Sequence, residues 1–391
     1  MKKIYILMIA LFIGIYANAQ WQLQTNGIYS SAQFQSITSS GNNICAGLNS
    51  AIFYSSNSGA SWSDISTYTM SGSDFYSLLF FDNYFFAGSN YGLWYTGSNG
   101  SQWWHKYYSG MPNGTEIYSM TTLGYNLYVG TQYGIFYSPD NGSSFNSCPN
   151  YSGYSVYSLI TKGTYLFAGG HLGAYLSTDY GNNWSQISNG LPQSGVGTIV
   201  ISFAVLGNSI FAGTDGAGVF VSNNNGSSWS CVSNGLSNLY INSLLVNGTT
   251  IYACTNDGIY ISTNNGSSWS NYGLTNKQVK GLTLNGTNIF AATSSGVWKR
   301  SLFYQIEDNT GFKNCSVYPN PTTDKITIET DDIKNMQNTI ISIFDIQGKL
   351  LSQQTLNPAK TEVTLSDFSQ GIYLLKLENS SGIAIRKITR E

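Results

Sequence analysis

Residues 20–302 of this 391-residue chain carry few groups able to do chemistry, and their types narrow what that chemistry can be. Histidine occurs twice, at His105 and His171, with no serine or cysteine motif beside either, so no catalytic triad can be argued. The carboxylates are Asp64, Asp74, Asp82, Glu116, Asp140, Asp179, Asp215 and Asp257. Cleaving a glycosidic bond takes two carboxyl groups facing one cleft. Asp215 and Asp257, in corresponding turns of neighbouring segments, are the pair to test for that role, although turn carboxylates of this kind ordinarily serve the turn itself. Tyrosines are far more numerous. Tyr68, Tyr76, Tyr107, Tyr108, Tyr118, Tyr151, Tyr154 and Tyr157 crowd three stretches, STYTMSGSDFYS, YYSGMPNGTEIYS and PNYSGYSVYS. A tyrosine offers flat area and a hydroxyl at small entropic cost, which suits recognition of sugars or proteins.

The elements that must position these residues repeat. An apolar run recurs as NNICAG ending at Gly47, YFFAG at Gly88, NLYVG at Gly130, YLFAG at Gly169, SIFAG at Gly213, TIYAC at Cys254 and NIFAA at Ala292. The spacings are 41, 42, 39, 44, 41 and 38 residues, a period that suits four strands per repeat, and the runs lack helical periodicity. Seven such sheets predict an all-β, seven-bladed β-propeller over 20–302, because radial stacking covers both faces of every sheet. The last repeat stops after Lys299 without a fourth strand, so residues 21–25 are expected to supply it and close the ring. Connections from strand four to the next strand one, and hairpins between strands two and three, then share one face, here called upper. Tyr76, Tyr118 and Tyr157 stand at the start of strand one, where the other repeats have Gln35, Ile201, Asn242 and Lys280. These three could face a ligand or pack between blades; the loop tyrosines are the better surface candidates.

Between strands three and four lies a polar box, such as Ser262, Asn264, Gly266 and Ser268 at every second position and then Trp269 directly after Ser268. Its third-residue positions are Asn57, Ser98, Asp140, Asp179, Asn224 and Asn264, and its aromatic positions are Trp62, Trp103, Phe145, Trp184, Trp229 and Trp269. The box resembles the Asp-box, or bacterial neuraminidase repeat, Ser-x-Asp-x-Gly-x-Thr-Trp. Asp or Asn can bond turn amides, Gly allows positive φ and the ring fills space between blades. Four of the six copies have Ser or Asn where a metal ligand or an acid would need a carboxylate, so structural turns are expected, with no metal and no cofactor. Asp-box propellers include sialidases, xyloglucan-cleaving tandem propellers, sortilin-like receptors and the photosystem II assembly propeller. Sialidases clamp a carboxylate with three arginines, and residues 20–302 contain only Arg300, so that activity is not expected.

Charged residues make up 9% of the chain and the formal net charge is −2, so no basic field exists to hold nucleic acid. The five cysteines are scattered without the paired spacing of a zinc site. Lys2 and Lys3, an apolar run from Ile4 to Tyr16 and then Ala17, Asn18 and Ala19 read as a secretory signal peptide over 1–19, leaving no membrane helix in the mature chain. Residues 303–316 read as a linker. From 317 to 391, alternating strands predict a small β-sandwich. Tyr318, Pro319, Asn320 and Pro321, then Asp345, Gly348 and Lys349, then Gly371, Ile372 and Tyr373 and a basic last strand closely resemble the type A sorting domain of the type nine secretion system of Bacteroidota. The resemblance implies that the secretion machinery is a partner, with passage through the periplasm to the cell surface or beyond.

The expectation is therefore a monomeric, exported propeller that binds a glycan or protein through its upper face without catalysis. A polysaccharide-cleaving enzyme using an upper-face carboxylate pair and an extracytoplasmic assembly factor that binds protein are the alternatives.

Overall fold

The computed structural model describes residues 20–29, 32–97, 103–105, 110–152, 154–192, 198–302, 315–330, 338–345, 350–356, 360–379 and 382–391. The expected signal peptide, Ser98, Tyr107 and Tyr108 lie outside them. Among the described residues every regular element is a β-strand except one 3-10 turn, Tyr68–Met70. Among the described residues no helix is long and apolar enough to cross a membrane.

Residues Trp21–Leu302 form one compact unit. It contains seven four-stranded antiparallel sheets. Their innermost strands are Phe34–Ser40, Phe75–Phe81, Ile117–Leu123, Val156–Lys162, Val200–Leu206, Ile241–Asn247 and Val279–Asn285. Each touches the next, and the seventh touches the first, which closes a propeller. In the seventh sheet the outer strand is Gln22–Leu23, paired to Gly296–Ser301 with Gln22 opposite Lys299 and Leu23 opposite Trp298. Gln24 N extends this pairing by donating to Val297 O at 2.9 Å.

The cores lie between sheets, since each sheet is apolar on both faces. Phe34, Ile44, Phe53 and Trp62 of the first sheet pack with Phe290, Ala292 and Val297 of the last. The glycine that ends five of the apolar runs lies hard against the next blade. A Cβ added at Gly47, Gly88, Gly130, Gly169 or Gly213 would stand 2.8, 2.6, 2.7, 2.6 or 2.5 Å from the first inner-strand side chain of the next blade: Phe75, Ile117, Val156, Val200 or Ile241. The AG endings of the repeat thus set blade spacing.

The other unit includes residues 303–391. Its described strands form a three-stranded sheet, Cys315–Tyr318, Lys325–Thr330 and Lys360–Thr364, and a four-stranded sheet of Leu350–Thr355, Ile340–Asp345, Gly371–Asn379 and Gly382–Arg390. Ile326, Ile328, Ile341, Ile343, Leu375 and Leu377 are buried in its core. The first strand starts at Cys315, inside the expected linker, because Cys315 and Val317 alternate inward onto that core.

Candidate ligand-binding face

One residue at the upper end of every inner strand is pushed out of the ladder. The pairing of strand one with strand two shifts register between Phe34 and Ser36, Phe75 and Ser77, Ile117 and Ser119, Val156 and Ser158, Val200 and Ser202, Ile241 and Ser243, and Val279 and Gly281. The unpaired residues are Gln35, Tyr76, Tyr118, Tyr157, Ile201, Asn242 and Lys280, and all are half-buried. A bulge re-aims the side chain of its extra residue. In six of the blades a serine follows, and in several of these it ties the bulge to the adjoining blade. Ser36 Oγ donates to Phe75 O at 2.7 Å, Ser158 Oγ accepts from Phe203 N at 3.1 Å, and Ser202 Oγ accepts from Leu244 N at 2.9 Å.

The bulges of blades two to four bring three tyrosines into one arc. The ring centroids of Tyr76 and Tyr118 are 5.6 Å apart and those of Tyr118 and Tyr157 are 5.0 Å apart, with tilted planes. His171, from the hairpin of blade four, extends the arc: its ring lies 5.2 Å from that of Tyr157, and Nε2 sits 2.7 Å from the Tyr157 hydroxyl. It is half-buried here, whereas a lone turn histidine would be expected to be exposed.

Carboxylates border this arc. Tyr118 donates its hydroxyl hydrogen to Glu116 Oε2 at 2.8 Å. Partial burial, then the hydrogen bond and charge of Glu116, push the Tyr118 hydroxyl well above the usual tyrosine range. Partial burial and the charges of Asp74 and Glu116 raise Tyr76. At Tyr157, desolvation is again the largest cause, with Asp215 and Glu116 adding to it. These phenols therefore remain protonated donors at neutral pH. At the bulge of blade seven, burial lowers the pKa of the Lys280 ammonium.

The remaining candidates separate. Tyr68 is 95% exposed and Tyr154 is 67% exposed, as a surface role requires. Tyr151 does not join them, and the surface expectation for it is corrected. Its ring packs 4.9 Å from Tyr175 and 5.7 Å from Trp184, filling space at the edge of blade four. Asp215 is exposed and within electrostatic reach of Tyr157, while Asp257 Oδ1 accepts from Asn276 N at 2.5 Å and so ties its hairpin to the connection that leads to blade seven. Tyr91, Tyr133 and Tyr240, exposed to 56%, 57% and 50%, also belong to upper connections. Tyr91 and Tyr133 occupy the same place in the hairpins SNYG and TQYG, a repeat signal that aligning strands alone passes over.

The polar boxes form the lower face. Ser55 Oγ donates to Asn57 Oδ1 and accepts from Gly59 N, both at 2.9 Å, and Asn57 Oδ1 also accepts from Ser61 N at 2.9 Å. The same bonds surround Asp140, Asp179, Asn224 and Asn264. At Asp140 desolvation opposes ionisation, but donors from Ser144, Ser138 and Ser143 outweigh it and hold the carboxyl at about 2. The hydrogen bonds of Asn183 similarly lower Asp179. Trp62, Trp103, Phe145, Trp184, Trp229 and Trp269 are all buried. Trp229 Nε1 and Trp269 Nε1 donate to Ile187 O and Val232 O of the preceding blade, both at 2.6 Å. Arg300 is buried beneath the Tyr272 ring, its guanidinium carbon 3.7 Å from the ring centroid, so it faces no substrate carboxylate.

Residues 316–391 match the family described as the secretion system C-terminal sorting domain. Several solved propellers are similar in fold. PorZ, an essential bacterial surface component of the type-IX secretion system of Porphyromonas gingivalis, is 16% identical with a TM-score of 0.59, over 95% of this chain and 61% of PorZ. The extracellular domain of the putative hybrid two component system BT4673 from B. thetaiotaomicron is 18% identical with a TM-score of 0.63, over 80% of this chain and 46% of that one. YCF48 bound to D1 peptide is 13% identical with a TM-score of 0.57, over 73% of this chain and 97% of YCF48. At these identities the likeness is one of fold. Among curated proteins, funoran endo-beta-hydrolase from Wenyingzhuangia aestuarii is 33% identical over 69 residues, 18% of this chain and 9% of the hydrolase. The chain thus spans less than two thirds of PorZ and under a tenth of the hydrolase.

Together these define the class: a β-propeller that carries a secretion-system sorting domain. The sorting domain addresses this chain to the cell surface or the extracellular space.

Proposed function

We propose that residues 20–302 are a non-catalytic binding module, a seven-bladed propeller of the Asp-box type, which takes a glycan or protein ligand on its upper face. The observation that carries this reading is the arc of Tyr76, Tyr118 and Tyr157, presented by backbone bulges in adjoining blades. A bulge kept in every blade, with aromatic residues on only three, turns a structural device into a local aromatic surface. Exposed Tyr68, Tyr91, Tyr133 and Tyr154 add rigid aromatic contact area on the same face. YCF48, a propeller of similar fold, is described with a peptide bound, which supports ligand binding by this architecture.

A screen of the full chain against polysaccharides and proteins, reading binding and released reducing ends in the same wells, tests the proposal. Binding without release is expected, and it should weaken in Tyr118→Ala. Release of reducing ends would overturn it in favour of the glycosidase alternative, with Asp215→Asn and Asp257→Asn the next variants to assay. Passage through the periplasm is tested by deleting residues 316–391, after which the propeller should accumulate there; unimpaired surface delivery would sink that route.

A further inference from the structure

We infer that the tyrosine arc is a receptor for a cationic side chain, a lysine ammonium or arginine guanidinium, presented by a polypeptide partner. The inference rests on the proposed binding role of the upper face and names the chemistry of its ligand. Three π-faces lie within one arc, the spacing between neighbouring centroids being 5.6 and 5.0 Å. An aromatic face attracts a cation placed within about 6 Å of its centroid, and does so more strongly where water is partly excluded. Tyr76, Tyr118 and Tyr157 are half-buried, which supplies that partial exclusion.

Charge complementarity points the same way. Glu116 is bonded to the Tyr118 hydroxyl through one carboxylate oxygen, and its charge reaches Tyr76 and Tyr157 as well. The charge of Asp74 reaches Tyr76 and that of Asp215 reaches Tyr157, at the two ends of the arc. Among the described residues no ion pair joins Lys280, at the corresponding bulge of blade seven, to these carboxylates. A neutral sugar would stack on the rings and donate hydroxyl hydrogens to the carboxylates, whereas a cation also meets their charge.

A polypeptide is favoured over a cationic polysaccharide by the surroundings. The upper connections read STYTMSGSDFYS and PNYSGYSVYS, dominated by Tyr, Ser and Gly. That is the composition of surfaces that recognise protein, where rigid tyrosines anchor and small polar residues adapt. Exposed Tyr91 and Tyr133, on neighbouring hairpins, extend the aromatic surface beyond the arc.

The test is calorimetric titration of the full chain with four probes: tetralysine, its fully side-chain-acetylated counterpart, a glucosamine tetramer and cellotetraose. Tetralysine should bind and the acetylated peptide should not. Glu116→Gln, which keeps an acceptor for Tyr118, should weaken tetralysine about tenfold, and so should Tyr118→Ala. Exposed Asp215→Asn should weaken it severalfold without disturbing the fold, which keeps the proposal testable even if the other variants lose structure. Tetralysine binding that survives acetylation or all three substitutions would overturn the cation site. Binding of the glucosamine tetramer without tetralysine would overturn the polypeptide partner. Binding of cellotetraose alone would overturn this inference while leaving the binding module intact, and silence from all four probes alongside a hit in the broader screen would do the same.

Discussion

The two faces of the propeller are built from similar residue types and put them to opposite use. On the lower face Asp, Asn, Ser and Trp are engaged within their own turns and with the preceding blade: Asp140 is bonded by Ser138 and Ser144, and Trp269 by Val232. On the upper face Glu116 and Asp215 border an aromatic arc, and Tyr68 and Tyr154 stand in solvent. A carboxylate's role in a repeat protein is thus legible from its hydrogen-bond partners. Where the turn supplies several donors, the group is structural; where the fold repeats the backbone but varies the side chain, the position is available for recognition.

The comparison can be broken most forcefully at the closure of the ring. Deleting residues 20–28 removes the outer strand of the seventh blade and the bond from Trp62 N to Asn26 O, and should lower the melting temperature by on the order of 10 °C in a calorimetric scan. An unchanged melt would show that the seam needs no such strand. On the lower face, Trp269→Ala should cost about 3–5 kcal/mol by urea unfolding, since the ring is buried and its N–H bonds the adjoining blade.

Tyr151 and Tyr154 sharpen the contrast within a single connection. Tyr151→Ala should cost about 2–4 kcal/mol by denaturant unfolding because it opens a cavity beside Tyr175 and Trp184. Tyr154→Ala should stay within about 0.5 kcal/mol of the parent and affect binding alone, and equal stability losses for the two would erase the distinction. The smallest effect is expected at Asp140. Asp140→Asn should change stability by no more than about 0.5 kcal/mol at neutral pH, because Asn57, Asn224 and Asn264 fill the same turn position. Its carboxyl is held below its ordinary value, so its contribution is present above about pH 4 and is lost as pH falls towards about 2. The variant should therefore show a flatter acid limb in pH-dependent melts, and an unaltered limb would remove Asp140 from the acid response.

The repeat, the number of strands in each unit, the polar turn chemistry, the closing strand at residues 21–25 and the sorting domain are all legible along the chain. All of these follow from local periodicity or from a motif contained in one stretch of chain, such as the AG ending that sets blade spacing or the Ser, Asn, Gly, Ser and Trp series of each box. Which tyrosines meet is fixed only when the blades pack. Tyr76, Tyr118 and Tyr157 lie about forty residues apart in chain, and nothing local states that a bulge at each will tilt the three rings into one arc. Nor does a local pattern say that Tyr151 turns inward while Tyr154, three residues on, stays in water. The physical reason is that contact between blades depends on how the ring closes, a property of all seven sheets at once.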